Sequence, residues 1–155
     1  MLVMFLILFS RIHGQWQKAT IYGSSAAHPD SIHVTDFAKK GDTVFALTTA
    51  QGIYYSQDEG LIWDRASDLP IYYPNGGPTI FAKGSSIFIG NMEGIFKSVD
   101  GGASWYQVES ENAYIQKIIN TGNRLIAVSS GNMGINYTGG VLISDDGGEN
   151  WELSN

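Results

Sequence analysis

Short apolar segments recur along the chain from about residue 32 onward, and each is bounded by Gly, Asn, Asp or Ser. They are rich in β-branched and aromatic residues, which is typical of β-strands. Three of them begin with glycine and end with serine, at 52–56, 94–98 and 140–144. A second set precedes these at 43–48, 86–90 and 124–129, and we expect first strands at 32–38, 79–82 and 115–120. No segment has helical periodicity longer than one turn, so the pattern predicts an all-β fold.

One octapeptide, S-x-D-x-G-x-x-W, begins at the last residue of the third strand of each set and occurs three times with a period near 45 residues. An Asp side chain can accept hydrogen bonds from nearby backbone N–H groups, and Gly supplies a positive φ, so the motif predicts a tight turn into a fourth strand. We therefore predict a structural role for its fixed positions. They are Ser56, Asp58, Gly60 and Trp63, then Ser98, Asp100, Gly102 and Trp105, and finally Ser144, Asp146, Gly148 and Trp151.

This motif resembles the Asp-box, or bacterial neuraminidase repeat, and the resemblance extends over residues 16–155. The family includes sialidases, sortilin-like receptors, xyloglucanase-type glycoside hydrolases and photosystem assembly factors, and in it the boxes are structural. The middle copy has the usual small hydroxyl residue, Ser104, before its tryptophan. Ile62 and Asn150 depart from that pattern, so we expect two slightly looser turns.

Four-stranded units of this length are blades of a β-propeller. Trp16 aligns with the three tryptophans that open a fourth strand, so the sequence predicts three whole antiparallel blades plus one orphan outer strand. Closed propellers have about four to eight blades. We therefore expect further blades in a longer chain, or self-association, to cover the open sheet faces.

The N-terminal segment is expected to direct export. Residues 2–9 are apolar, far short of the roughly 20 residues that span a bilayer but suited to a secretory signal. We predict a signal peptide at 1–14 and propeller blades at 15–155, in a secreted, periplasmic or cell-surface protein without a membrane span in its mature part. The alternative is that this segment forms a buried strand.

Composition excludes several classes of function. Nine Lys and Arg against fifteen Asp and Glu give a net charge of −6, which argues against nucleic-acid binding. The chain has no cysteine, so thiolate metal sites and cysteine nucleophiles are excluded. His28 and His33 lie near Asp30 and Asp36 but match no compact ligand motif, and we predict neither a metal nor a cofactor.

The loops opposite the Asp-box turns carry the candidate binding residues. Tyr72 and Tyr73 lie between two prolines, a stiff aromatic arrangement of the kind that stacks on sugar rings. Asp30, Glu93 and Tyr137 fall in other loops of the same predicted face. Binding residues are common on loops that a rigid scaffold positions, so we expect a carbohydrate or protein ligand here.

The sequence does not identify a catalytic residue. Sialidases resemble one another in holding the substrate carboxylate with three arginines, whereas the predicted mature chain has only Arg65 and Arg124. Other glycosidases need two carboxylates about 5–9.5 Å apart, and nothing pairs Asp30 or Glu93 with a second acid. We therefore predict an exported, non-catalytic module that binds glycan or protein. A fragment of a glycoside hydrolase and an assembly-factor-like scaffold remain the alternatives.

Overall fold

The computed structural model describes residues 20–21, 33–48, 52–67, 79–109, 114–130 and 139–154, and all of these segments belong to β-strands or to the turns that join them. Blade 1 contains β2 (Val34–Lys40), β3 (Thr43–Thr48), β4 (Ile53–Ser56) and β5 (Ile62–Ser67). Blade 2 contains β6 (Thr79–Lys83), β7 (Ser86–Asn91), β8 (Gly94–Ser98) and β9 (Tyr106–Glu109). Blade 3 contains β10 (Ile115–Asn120), β11 (Leu125–Ser129), β12 (Gly140–Ser144) and β13 (Glu152–Ser154).

The predicted architecture is confirmed. Each blade is an antiparallel sheet whose strands lie side by side in chain order. The first strands of the three blades, β2, β6 and β10, follow one another with β6 in the middle. The turns between first and second strands therefore lie at the same end as the Asp-boxes, while the loops between second and third strands lie at the other end, as expected.

The extra strand, β1 (Thr20–Ile21), lies at the outer edge of blade 1. It pairs in parallel with β5, with Thr20 opposite Ile62 and Ile21 opposite Trp63. The first blade is therefore a five-stranded sheet. Trp16, where we expected the orphan strand to begin, and the predicted signal peptide at 1–14 lie outside the described residues.

Neighbouring blades pack through apolar side chains that alternate along each second strand. In β7, Ile87 and Ile89 face blade 1, where they join Phe45, Leu47 and Ile53 in one buried cluster. The residue between them in β7 faces the other way, because successive side chains of a strand point to opposite faces. This is Phe88, which is fully buried and joins a second cluster with Leu125 and Leu142 of blade 3.

Gly90 allows the inner parts of blades 2 and 3 to approach closely. A Cβ at this position would overlap the Ile115 side chain and lie 3.0 Å from Cγ2 of Thr79. Since interiors pack at crystal-like density, even a methyl group has no space here.

The described residues include no helix long and apolar enough to cross a membrane.

Candidate functional site

The first Asp-box shows how the repeated turn is held. Asp58 Oδ1 accepts hydrogen bonds from the backbone N–H groups of Leu61 (3.1 Å) and Ile62 (2.9 Å) and from the Ser56 hydroxyl (2.7 Å). The Ser56 oxygen in turn accepts from the N–H of Gly60 (2.9 Å), which has a φ of 89°. The carboxylate and the hydroxyl together satisfy backbone donors that would otherwise have no partner within the turn.

The other two boxes repeat this arrangement. Gly102 donates to Ser98 Oγ at 2.9 Å, and Gly148 donates to Ser144 Oγ at 2.8 Å. Asp100 and Asp146 each accept a hydrogen bond from the serine that begins their motif. The same atoms therefore form the same contacts in all three copies.

The motif tryptophans connect the turn to the blade. The indole N–H groups of Trp63 and Trp105 donate to the carbonyls of Gly60 (2.9 Å) and Gly102 (3.0 Å). Trp105 also donates to Ser67 Oγ of blade 1 at 3.2 Å. The indole nitrogen of Trp151 is buried and has no partner among the described residues. The tryptophan of blade 2 therefore connects two blades directly.

The residue before each tryptophan distinguishes the three turns. Ser104 donates its hydroxyl to Asp100 Oδ2 at 2.5 Å, and Asn150 donates its side-chain amide to Asp146 Oδ2 at 2.7 Å. The expectation of a looser turn at Asn150 is therefore wrong, because an amide N–H replaces the hydroxyl donor. Ile62 has no polar side chain, so it donates only its backbone N–H to Asp58.

These donors favour the ionised form of each Asp-box carboxyl. The hydroxyl and backbone N–H of Ser104, with the hydroxyl of Ser98, lower the pKa of Asp100 from its ordinary 3.8 to about 2. Hydrogen bonds from the backbone and side chain of Asn150 also lower the pKa of Asp146. The pKa of Asp58 is lowered chiefly by the N–H of Ile62. The three carboxylates therefore stay ionised to support their turns.

We expect a pH dependence of stability from this arrangement. Because the pKa of Asp100 is lower in the folded chain than the ordinary value, its stabilising contribution is complete above about pH 4 and is lost as the pH falls towards about 2. Thermal unfolding followed between these pH values should show a shallower decline for Asp100→Asn than for the wild type. Ser104→Ala should make the decline smaller, because loss of the hydroxyl donor brings the folded-state pKa of Asp100 closer to its ordinary value. Parallel profiles for all three proteins would contradict this assignment.

A polar layer, which we define as Asp36, Thr79 and Lys117, links the first strands of the three blades. Asp36 Oδ2 accepts hydrogen bonds from Thr79 Oγ1 (2.8 Å) and from Lys117 Nζ (3.0 Å). The three residues occupy the same register position, since they lie opposite Leu47, Gly90 and Val128, which are equivalent residues of the second strands. The layer lies near the end of the blades that carries the loops between second and third strands.

Asp36 is ionised in this layer. Partial burial acts to raise its pKa, but hydrogen bonds from Thr79, Lys117 and the backbone N–H groups of Ile80 and Phe37 outweigh it and lower the pKa. Lys117 is about half exposed, with 55% of its side-chain surface accessible. We call the end of the blades that carries the loops between second and third strands the loop end. The layer presents the partly exposed Lys117 side chain there, beside the Asp36 carboxylate, which accepts several hydrogen bonds.

Of the predicted binding residues, only Glu93 lies within the described part of the chain. It is exposed in the turn between β7 and β8, where its N–H donates to Asn91 Oδ1 at 2.6 Å and its carbonyl accepts from Gln107 Nε2 at 2.5 Å. Tyr72, Tyr73, Tyr137 and Asp30 lie outside the described residues. Glu93 and the polar layer therefore belong to the same end of the blades.

Sequence reasoning missed the polar layer. From the sequence, Asp36 was grouped only with His28, His33 and Asp30, which match no metal-ligand motif. The described residues contain no cluster of His, Asp and Glu that could hold a metal ion. Alignment of the first strands by their partners in the second strands would have placed the three residues at one level. The two arginines of the described segments do not form a joint site, since Arg65 lies on the outer strand of blade 1 and Arg124 pairs with Asp145 of blade 3.

Comparison with known proteins agrees with this geometry. The family model described as BNR/Asp-box repeat matches residues 142–153, which contain the third copy of the motif. No protein of curated function matches the sequence. The sequence match to the Asp-box repeat is therefore limited to this third copy, and the fold is that of β-propeller blades.

Solved structures with similar folds come from longer proteins. A structure described as YCF48 bound to D1 peptide is 20% identical, with a TM-score of 0.57 over 84% of this chain and 42% of that one. YCF48 from Cyanidioschyzon merolae is 18% identical, with a TM-score of 0.55 over 81% and 44% of the two chains. The GH74 xyloglucanase from Xanthomonas campestris is 19% identical, with a TM-score of 0.58 over 91% and 20%. This chain thus spans less than half the length of these proteins.

Proposed function

We propose that the chain is an exported, non-catalytic propeller module that binds a segment of another protein at the loop end of its blades. The observation that carries this proposal is the polar layer, which presents the half-exposed Lys117 beside Asp36 at that end. Peptides offer carboxylates, amides and backbone groups that such charged side chains recognise. The structure described as YCF48 with a bound D1 peptide is a propeller of similar fold that takes a peptide ligand.

The described residues that flank other predicted binding residues also lie at the loop end. Residues 68–78 join Ser67 to Thr79, both of which lie at this end, and they include Tyr72 and Tyr73. Residues 131–138, with Tyr137, follow Ser130 at the same end. We propose that these aromatic side chains and Glu93 contribute to the same binding surface, and that Asp30 belongs to it as well.

The hydrogen bonding of the acidic residues favours binding over hydrolysis. Each Asp-box carboxylate accepts hydrogen bonds within its own turn, and Asp36 is paired with a lysine. A glycosidase needs one carboxyl that holds a proton near neutral pH and a second carboxylate across the scissile bond. The lowered pKa values of the Asp-box carboxyls and of Asp36 keep these groups ionised, whereas a proton-donating carboxyl needs a raised pKa.

The proposal can be tested with a library of random peptides, a glycan array and two carbohydrate substrates. The protein is first recovered from the exported fraction, where we expect it to begin at Gln15. It should enrich peptides, and Lys117→Ala should weaken their binding by about tenfold. Lys83→Ala is the matched control, because Lys83 lies at the opposite end of blade 2 and donates to Gly122.

Three other outcomes would each contradict the proposal in a different way. Binding to glycans without peptides would show that the ligand class is wrong. Release of reducing sugar from xyloglucan or sialyllactose would favour the hydrolase alternative. If Lys83→Ala weakens peptide binding as much as Lys117→Ala does, the loop end is not the binding surface.

A further inference from the structure

The interface between blades 1 and 2 contains a cleft at the Asp-box end of the blades, which we call the box cleft. Its volume is about 320 Å³, a size typical of small-ligand sites. It is lined by five residues of blade 1 and one glycine of the second Asp-box, which are Lys40, Thr43, Phe45, Tyr55, Gln57 and Gly101. The box cleft lies at the opposite end of the blades from the loop end, so it is separate from the binding surface proposed above.

The box cleft combines aromatic rings with oxygen acceptors. Phe45 is buried, and Tyr55, its partner in the sheet, is half-buried against the same apolar cluster. Thr43, Tyr55 and Gln57 each carry a side-chain oxygen that can accept a hydrogen bond. A Cβ added at Gly101 would have no atom within 4 Å, so there is space beside the turn. Aromatic faces and oxygen acceptors both attract organic cations.

The equivalent space between blades 2 and 3 holds an ammonium group of the chain itself. Lys97 is buried, and its Nζ lies 5.5 Å from the centroid of the Phe88 ring. The same Nζ donates to the Gly147 carbonyl at 3.1 Å and to Glu149 Oε1 at 2.6 Å. An alkylammonium group therefore fits between the face of one blade and the Asp-box of the next.

The two spaces are equivalent residue by residue. Three pairs of residues correspond by strand register or by position in the box, namely Phe45 with Phe88, Tyr55 with Lys97, and Gly101 with Gly147. The aromatic ring and the box glycine are thus the same in both interfaces, while a tyrosine stands in place of the lysine. The box cleft therefore keeps two of the groups that surround an ammonium between blades 2 and 3, without a lysine at the position that supplies it there.

The negative charges near the box cleft favour a cation. Asp58 directly follows Gln57 in the chain, and Asp100 directly precedes Gly101. Hydrogen bonds within the boxes lower the pKa of both carboxyls, so both are ionised. The chain as a whole has a net charge of −6, which raises the local concentration of cations.

Lys40 brings one cation to the lining, and the neighbouring interface shows that a second cation is compatible with it. The Nζ of Lys40 donates to the Ser85 carbonyl at 2.7 Å. Its equivalent in blade 2 is Lys83, which donates to the Gly122 carbonyl at 3.3 Å. The Lys97 ammonium lies in the same interface as Lys83, so a lysine at this position does not exclude an ammonium from the space.

The carboxylate of Glu149 has no counterpart in the box cleft, because the equivalent residue of the second box is Ala103. An ammonium there is held by aromatic faces and neutral oxygens, which bind it less tightly than a carboxylate does. We therefore expect millimolar affinity for a small amine. The difference also provides a test, since the carboxylate can be restored by substitution.

We propose that the box cleft binds a primary alkylammonium group, with the ammonium over Phe45 and against the Gly101 carbonyl. This is the arrangement that the Lys97 ammonium has between blades 2 and 3. The group is carried either by a small free amine or by a lysine side chain of another protein.

Amide NMR of the isotope-labelled full chain, titrated with n-butylammonium, tests this proposal. Butylammonium reproduces the end of a lysine side chain, and we expect it to shift the Gly101 and Gly102 amide signals to saturation. Two matched probes are n-butanol, which has the same alkyl chain without the charge, and acetate, the anion that Lys40 would attract. Both should bind at least about tenfold more weakly.

Three variants test the geometry. Ala103→Glu restores the carboxylate of the filled site and should tighten butylammonium binding by about tenfold. Leu61→Glu is the matched control, because Leu61 is 56% exposed at the same position of the first box. Glu149 shows that this position faces the preceding blade, so Leu61 faces away from the box cleft and its substitution should leave the affinity unchanged. Tyr55→Lys should abolish binding, because its own ammonium fills the cleft.

The source of the ammonium group is distinguished by comparing putrescine with Nα-acetyllysine methylamide. Tighter binding of putrescine indicates a free amine, and tighter binding of the lysine derivative indicates a side chain of another protein. The proposal is overturned if butanol or acetate binds as tightly as butylammonium, or if none of these probes shifts the two amide signals. It is also overturned if Leu61→Glu tightens binding as much as Ala103→Glu does.

Discussion

Replacement of Trp105 by alanine should lower the free energy of unfolding by about 3–5 kcal/mol. Trp105 packs against the cluster between blades 1 and 2, and its indole N–H donates to both Gly102 and Ser67. The substitution removes the ring from the cluster and leaves these acceptors without their donor. Because blades 1 and 2 share this interface, the substitution should destabilise both of them.

Urea unfolding of purified protein measures this effect. Tyr106→Ala is the matched control, because Tyr106 is the next aromatic residue along the chain and is 41% exposed. Its loss should cost about 0.5 kcal/mol, as is usual for a surface position. Equal effects of the two variants would mean that the indole does not hold the blades together.

Gly148→Ala should lower the free energy of unfolding by about 2–4 kcal/mol, as the sum of backbone strain and overpacking. The φ of Gly148 is 86°, which residues with a side chain rarely adopt. A Cβ there would lie 2.6 Å from Cζ of Phe88 and 3.1 Å from Cδ1 of Leu125. Phe88 is fully buried and cannot move aside without disturbing the interface between blades 2 and 3.

Gly147→Ala separates the two contributions. Gly147 has a similar φ of 77°, but a Cβ there would have no atom within 4 Å. It should therefore cost only about 1 kcal/mol, from the left-handed backbone. The difference between the two melting midpoints measures the overpacking against Phe88, and a difference near zero would contradict the fit of the box glycine to the next blade.

The strand order and most strand boundaries could be predicted from the sequence because the chain repeats one unit. The pattern predicted strands at 43–48 and 115–120, and the structure has Thr43–Thr48 and Ile115–Asn120. The second strand of blade 2 has apolar residues on both faces, since it lies between two blades, and the Asp-box marks the turn that follows the third strand. The fold could therefore be predicted from the repeat period and from the residues that form the turns.

The candidate binding surface could be predicted only in part. The position of Glu93 could be predicted from the strand order, because the loop between second and third strands must lie at the end of the blade opposite the Asp-box. The pairing of Asp36 with Lys117 joins residues 81 positions apart in the chain. It depends on how the first strands of three blades come together, which no local pattern encodes.

The sequence by itself determined the all-β fold and the three blades, and it predicted a structural role for the Asp-box residues, since these follow from side-chain alternation and turn chemistry within each repeat. The tertiary structure decided how the blades meet. It places Gly148 on Phe88, joins Asp36 to Lys117, and attaches β1 in parallel to the outer edge of blade 1. These contacts depend on distances between repeats, and such distances exist only after the blades have packed.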